Sequence, residues 1–110
     1  MTTPESDMTV VELARIRLKP GVSEDRLIAV SDQFQTEFLA HVDGFLGRDL
    51  IRGADGGYMD LVRWSSPNAA EAVMATAMRS PACLAYFDLM EMGSDPGEGV
   101  LHMQVLRRYG

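Results

Sequence analysis

The chain has 110 residues, 46% of them hydrophobic and 24% charged, with a formal net charge of −6 and a single cysteine. That length supports one domain around one core, and the negative charge repels phosphate backbones, so nucleic acid is not an expected partner. No run approaches the roughly 18 consecutive apolar residues of a membrane span, and Cys83, being alone, provides neither an intramolecular disulfide nor a thiolate metal cluster. Residues 1–7 are polar and acidic, unlike a signal peptide. They are expected to be a frayed tail before a single domain over 8–110, in a cytoplasmic protein.

Thr9 to Leu18 alternates imperfectly, with Val10, Val11, Leu13, Ile16 and Leu18 apolar, and predicts a first strand stopped by Pro20-Gly21. Ser23 is a good N-cap, and Glu24 and Asp25 follow where the helix dipole favours negative charge. Leu27, Val30, Phe34, Phe38 and Leu39 recur at helical spacing to His41, with Gly44 as the expected C-cap. His41, near a helix C-terminus, reads as structural.

Two alternating runs, Phe45 to Arg52 and Tyr58 to Trp64, flank the Gly-rich stretch Gly53 to Gly57 and predict a β-hairpin. A five-residue loop sets Arg52 against Tyr58, Leu50 against Asp60, Arg48 against Val62 and Leu46 against Trp64, unless a bulge shifts one strand. Ser66-Pro67 opens an Ala-rich second helix, and Ser80-Pro81 opens a short helix through Leu89. Gly93 to Gly99 is expected to be a loop, and Leu101 to Tyr109 the last strand. The methionines, Met74 and Met78 among them, are expected to fill the core.

This β-α-β-β-α-β order specifies an α+β, ferredoxin-like unit: a four-stranded antiparallel sheet with two main helices on one face. Both alternation sets of the first three strands carry apolar residues, so the open face is expected to be covered by a second copy of the chain. Arg15, Arg17, Arg48, Arg52 and Arg63, with Glu12, Asp49 and Asp60, are expected to pair in or around that interface.

The chain resembles the antibiotic biosynthesis monooxygenase-like (ABM) proteins of the dimeric α+β barrel superfamily. The resemblance runs from Val10 to Tyr109. It rests on Leu18-Lys19-Pro20-Gly21, Gly44-Phe45-Leu46-Gly47, Val62-Arg63-Trp64 and Ser80-Pro81-Ala82. It implies a homodimer paired sheet to sheet. It also implies one of several activities: cofactor-free oxidation of aromatic polyketides or quinols, haem degradation, or none known. The haem-degrading pattern needs a first-strand Asn, a Trp where Ala77 stands and a His where Phe87 stands. All three are missing here, so that activity is not expected.

Cofactor-free oxidation asks for less: a dry cavity, a proton acceptor and a group that stabilises an oxyanion. The candidates are His102 as base and Arg63 as anion partner, with Trp64, Arg48, Tyr58 and Tyr86 lining a small aromatic ligand between sheet and helices. Each also has a structural reading: Trp64 as an anchor, His102 as a satisfied surface residue, the arginines as ion pairs. Cys83, just inside the short helix, reads as a small hydrophobe. No metal-ligand spacing, P-loop, dinucleotide fingerprint or G-x-S-x-G is present, so neither metal nor cofactor is expected. A non-catalytic binding protein or structural homodimer of the same fold is the alternative.

Overall fold

A computed structural model describes residues 8–91 and 99–110. The frayed tail expected over 1–7, Met92 and most of the loop expected over Gly93 to Gly99 lie outside the described residues. Four strands, β1 (Val10–Ile16), β2 (Phe45–Arg52), β3 (Tyr58–Trp64) and β4 (Val100–Gln104), form one sheet in the order β2-β3-β1-β4, all pairs antiparallel. The helices α1 (Glu24–Glu37), α2 (Pro67–Ala77) and α3 (Pro81–Phe87) complete the ferredoxin-like α+β architecture.

Each helix starts for a local chemical reason. The hydroxyls of Ser23, Ser66 and Ser80 accept hydrogen bonds from the backbone N–H of Arg26, Ala69 and Cys83 at 3.1, 3.1 and 3.2 Å. Pro67 and Pro81 follow their caps at a position where the missing N–H costs nothing. Leu27, Val30, Ser31 and Phe34 form the buried stripe of α1, and Ala70, Val73 and Ala77 that of α2. Helix α1 ends at Phe38, earlier than the periodicity suggests. A 3-10 turn, Leu39–His41, follows, and the His41 ring nitrogen bonds the Thr36 carbonyl at 3.1 Å.

Gly44 is therefore no helix cap. It sits at φ +83° in the turn before β2, and an added Cβ there would lie 2.5 Å from the Ala69 Cβ and 2.8 Å from the Ser65 Oγ. Its carbonyl accepts from the Ser65 N–H at 2.8 Å, tying the start of β2 to the end of β3.

The hairpin register holds at Arg52–Tyr58, Leu50–Asp60 and Arg48–Val62, but Trp64 faces Phe45 instead of Leu46. A bulge between Phe45 and Gly47 absorbs Leu46, which is 53% exposed, and returns Phe45 to the buried side, edge-on to Trp64. Strand β1 is shorter than expected at both ends, and β4 begins one residue earlier than expected and stops at Gln104.

The sheet then separates into two faces. Val10, Ile16, Val62 and Trp64 are buried beneath the helices. The opposite set is mainly apolar, with Val11, Leu13, Leu61, Leu101 and Met103 beside Arg15, Asp49 and Arg63, and no element of the chain's described residues covers it; Leu101 and Met103 are 59% and 45% exposed. The methionines depart from expectation. Met90 is buried, but Met74 and Met78 are 56% and 57% exposed, because Ala70, Val73 and Ala77 already form the inner face of α2.

Candidate functional site

Three of the helix-facing positions on β2 and β3 are Arg48, Leu50 and Asp60. Arg48 and Asp60 sit on neighbouring strands, offset by one pair. Their side chains are 6% and 8% exposed and meet at 3.1 Å. This pair lies on the helix side of the sheet, away from the open face where an interface role would place it. Arg48 Nη1 also contacts the Tyr86 hydroxyl at 3.4 Å, and Nη2 donates to the Ser31 carbonyl and Oγ at 3.0 and 2.7 Å. Nε donates to Gln35 Oε1 at 3.2 Å. Every donor of the guanidinium is thereby engaged.

Tyr86 donates its hydroxyl to Asp60 Oδ2 at 2.7 Å and stacks on Phe34 at 4.8 Å between centroids. The Arg48 guanidinium carbon lies 5.2 Å from the Phe34 centroid and 5.5 Å from that of Tyr86. Burial raises the Asp60 pKa against the lowering pull of Arg48 and the Tyr86 hydrogen bond. Burial, then the Asp60 charge, pushes the Tyr86 phenol up. The cluster sets the Asp60 carboxyl group between a guanidinium and a phenol hydroxyl.

Above it, between α1 and the edge strand β2, runs a groove of about 370 Å³ lined by Ile28, Ser31, Asp32, Gln35, Arg48 and Leu50. A second hollow of about 190 Å³ continues it past Leu27 and Ile51 to Tyr58. There the Tyr58 hydroxyl donates to Glu24 Oε1 at 3.1 Å, and Arg52 Nη1 grips both Glu24 oxygens at 2.9 and 3.1 Å.

The six residues singled out from sequence fall in different places. Arg48 and Tyr86 come together, and Tyr58 lines the adjoining hollow. Trp64 is 1% exposed, and its indole N–H has no partner among the described residues. His102 lies opposite Glu12 on β1, near the other edge of the sheet, with Nε2 2.7 Å from Glu12 Oε1. Arg63 is on the open face, paired with Asp49 at 3.2 Å and folded over Gly47. Ser31, Gln35 and Asp32 were not singled out from sequence, and Asp60 was named only as a charge expected to pair in or around the interface. Asp60 had a signal: it shares its alternation slot with Val62 and Trp64, so its carboxylate had to be buried. Cys83 is buried, and its thiol is pushed up to about 11 by that burial. Among the described residues no group of three or more His, Cys, Asp or Glu is placed to hold a metal ion, and no helix is long and apolar enough to cross a membrane.

No family model matches the chain, and no curated protein matches it in sequence. Solved structures do match its fold. SnoaB, a cofactor-independent oxygenase from Streptomyces nogalater, is 18% identical with a TM-score of 0.66, over 93% of this chain and 95% of SnoaB. A candidate antibiotic biosynthesis monooxygenase from Caulobacter crescentus CB15 is 16% identical with a TM-score of 0.64, over 94% and 92% of the two chains. The haem-degrading protein Rv3592 from Mycobacterium tuberculosis is 19% identical with a TM-score of 0.59, over 94% and 100%. At such identities the likeness is one of fold, and the chain has the ferredoxin-like α+β fold of the antibiotic biosynthesis monooxygenase-like proteins.

Proposed function

We propose that this protein is a cofactor-independent monooxygenase acting on a small aromatic or quinol-like substrate held in the α1–β2 groove, and that it works as a homodimer. The observation that carries this reading is the groove itself. Its volume suits a small molecule, and its wall is braced by the buried Arg48–Asp60–Tyr86 cluster. Such a wall is fixed before a ligand arrives, so the site holds its ligand without reorganising. The fold shared with a cofactor-independent oxygenase supports the same reading.

The chemistry needs little from the protein. An electron-rich phenol, bound neutral, passes its hydroxyl proton to water as it gives electrons to dioxygen directly. One oxygen atom enters the substrate and the other leaves as water, with the substrate supplying all four electrons. The chain contributes binding and orientation, with Ile28 and Leu50 against the substrate, Tyr58 in the adjoining hollow and the Arg48–Asp60–Tyr86 cluster behind them as a brace. Trp64, His102 and Arg63 lie outside the groove and take no part in this account. The dimer rests on the uncovered apolar sheet face, which is closed most simply by the same face of a second copy.

Oxygen uptake with a panel of hydroquinones and anthrones tests the activity. Uptake is expected, together with its loss in Ile28→Trp, which fills the groove from an exposed helix position. Uptake that survives Ile28→Trp places the chemistry elsewhere. Sedimentation should show a dimer at micromolar concentration and a monomer for Leu101→Glu; a stable wild-type monomer refutes the dimer. A second reading, a non-catalytic homodimer of the same fold, is favoured by one observation: Arg48 has no donor to spare for a substrate. Thermal stabilisation by the same panel without oxygen uptake would select it.

A further inference from the structure

The chemical bias of the groove follows from which of its polar groups are already engaged. Arg48 lines it, yet all its donors point to protein acceptors, so it offers an anion no hydrogen bond. Its charge is matched by Asp60, and that of Arg52 by Glu24. Gln35 uses Oε1 to accept from Arg48 Nε at 3.2 Å, which fixes the amide and leaves the two donors of Nε2 for the groove. One turn earlier on the same helix face, the Asp32 carboxylate also lines the groove and has no partner among the described residues. Ile28 and Leu50 supply apolar wall. The polar groups left to the groove are therefore the anionic Asp32 acceptor, the Gln35 Nε2 donors and the Ser31 hydroxyl proton, with no free cation among them.

We infer that the groove selects a neutral arene bearing a hydroxyl beside a second oxygen, the hydroxyl donating to Asp32 and the second oxygen accepting from Gln35 Nε2. Side chains three apart on a helix have Cβ atoms about 5–6 Å apart. From that spacing both side chains can reach oxygens on adjacent ring carbons through hydrogen bonds of about 2.8 Å. An arene carboxylate meets the uncompensated charge of Asp32 instead. Asp32 and Gln35 become the specificity-determining pair, and the inference rests on the groove being the binding site proposed above.

Binding of catechol, its dimethyl ether veratrole, and benzoate to the full chain, followed by amide chemical-shift titration, tests it without requiring turnover. Catechol is expected to bind most tightly and to shift amides around Ile28–Gln35 and Leu50. Asp32→Asn, an isosteric change at an exposed helix position, is expected to weaken catechol about five- to tenfold, the difference between a charged and a neutral acceptor. Gln35→Leu is expected to weaken it several-fold. Veratrole or benzoate binding as tightly as catechol, or catechol affinity unchanged in Asp32→Asn, overturns the inference while leaving the groove as a site. No binding of any of the three to the wild-type chain overturns the groove as well. Catechol bound without oxygen uptake by any quinol removes only the oxygenase reading.

Discussion

Replacing Arg48 by Met keeps most of the side-chain volume and deletes the guanidinium, so it isolates the electrostatic role of the buried cluster. Five interactions go at once: those to Gln35 Oε1, Asp60 Oδ1, the Tyr86 hydroxyl and both oxygens of Ser31. The larger cost lies in what remains. Asp60, 8% exposed, keeps only the Tyr86 hydrogen bond and either stays charged without a counter-ion or takes up a proton. Removing one partner of a buried pair costs about 3–5 kcal/mol, against a typical total stability of about 5–15 kcal/mol. Urea unfolding followed by circular dichroism, at one fixed protein concentration, should show the midpoint falling sharply with the slope unchanged. Arg48→Met combined with Asp60→Leu should recover part of the loss, because no stranded charge is left. A loss below about 1 kcal/mol for Arg48→Met would place the pair in the range of exposed ion pairs and refute the buried brace.

Two further outcomes follow from backbone and burial. Gly44→Ala should destabilise the fold by about 2–4 kcal/mol, combining an alanine at positive φ with overpacking against Ala69; an unchanged thermal midpoint would contradict the close approach. Cys83 should resist alkylation at pH 8 until urea unfolds the chain, since its thiol is buried and raised to about 11. A folded pKa above the ordinary 9.0 makes its contribution to stability complete below pH 9 and lost as pH rises toward 11. Cys83→Ala should flatten that alkaline decline, and a decline identical in both proteins would rule the thiol out as its source.

The elements were legible in sequence wherever a local signal had a local cause. Ser66-Pro67 and Ser80-Pro81 mark helix starts because the serine hydroxyl and the proline ring act within one turn. The register of the hairpin was legible at three pairs because Gly53 to Gly57 fixes the loop length. The bulge was not, because Phe45 and Leu46 are both apolar and Gly47 has no side chain to assign to a face. Met74 and Met78 were misplaced because their side chains are hydrophobic, while the inner face of α2 was already complete with smaller residues. The candidate site was harder still. Arg48, Tyr58 and Tyr86 were singled out one by one, but what joins Arg48 and Tyr86 is Asp60, 12 and 26 residues away along the chain. No local pattern records a contact that only tertiary packing makes.

The bulge at Leu46 also bears on how copies of this chain meet at their edges. Strand β2 is an outer strand, with one side of its backbone unpaired among the described residues, and a flat outer strand is a template on which further chains can stack without limit. A bulge bends and twists the strand where it begins, and an incoming strand meets a kinked ladder there. Arg52, held by Glu24 and largely exposed, sets a charged group at the far end of the same strand. The irregularity that defeats a simple pairing rule therefore also protects against fibrous growth, and leaves this edge free to serve as the rim of a groove.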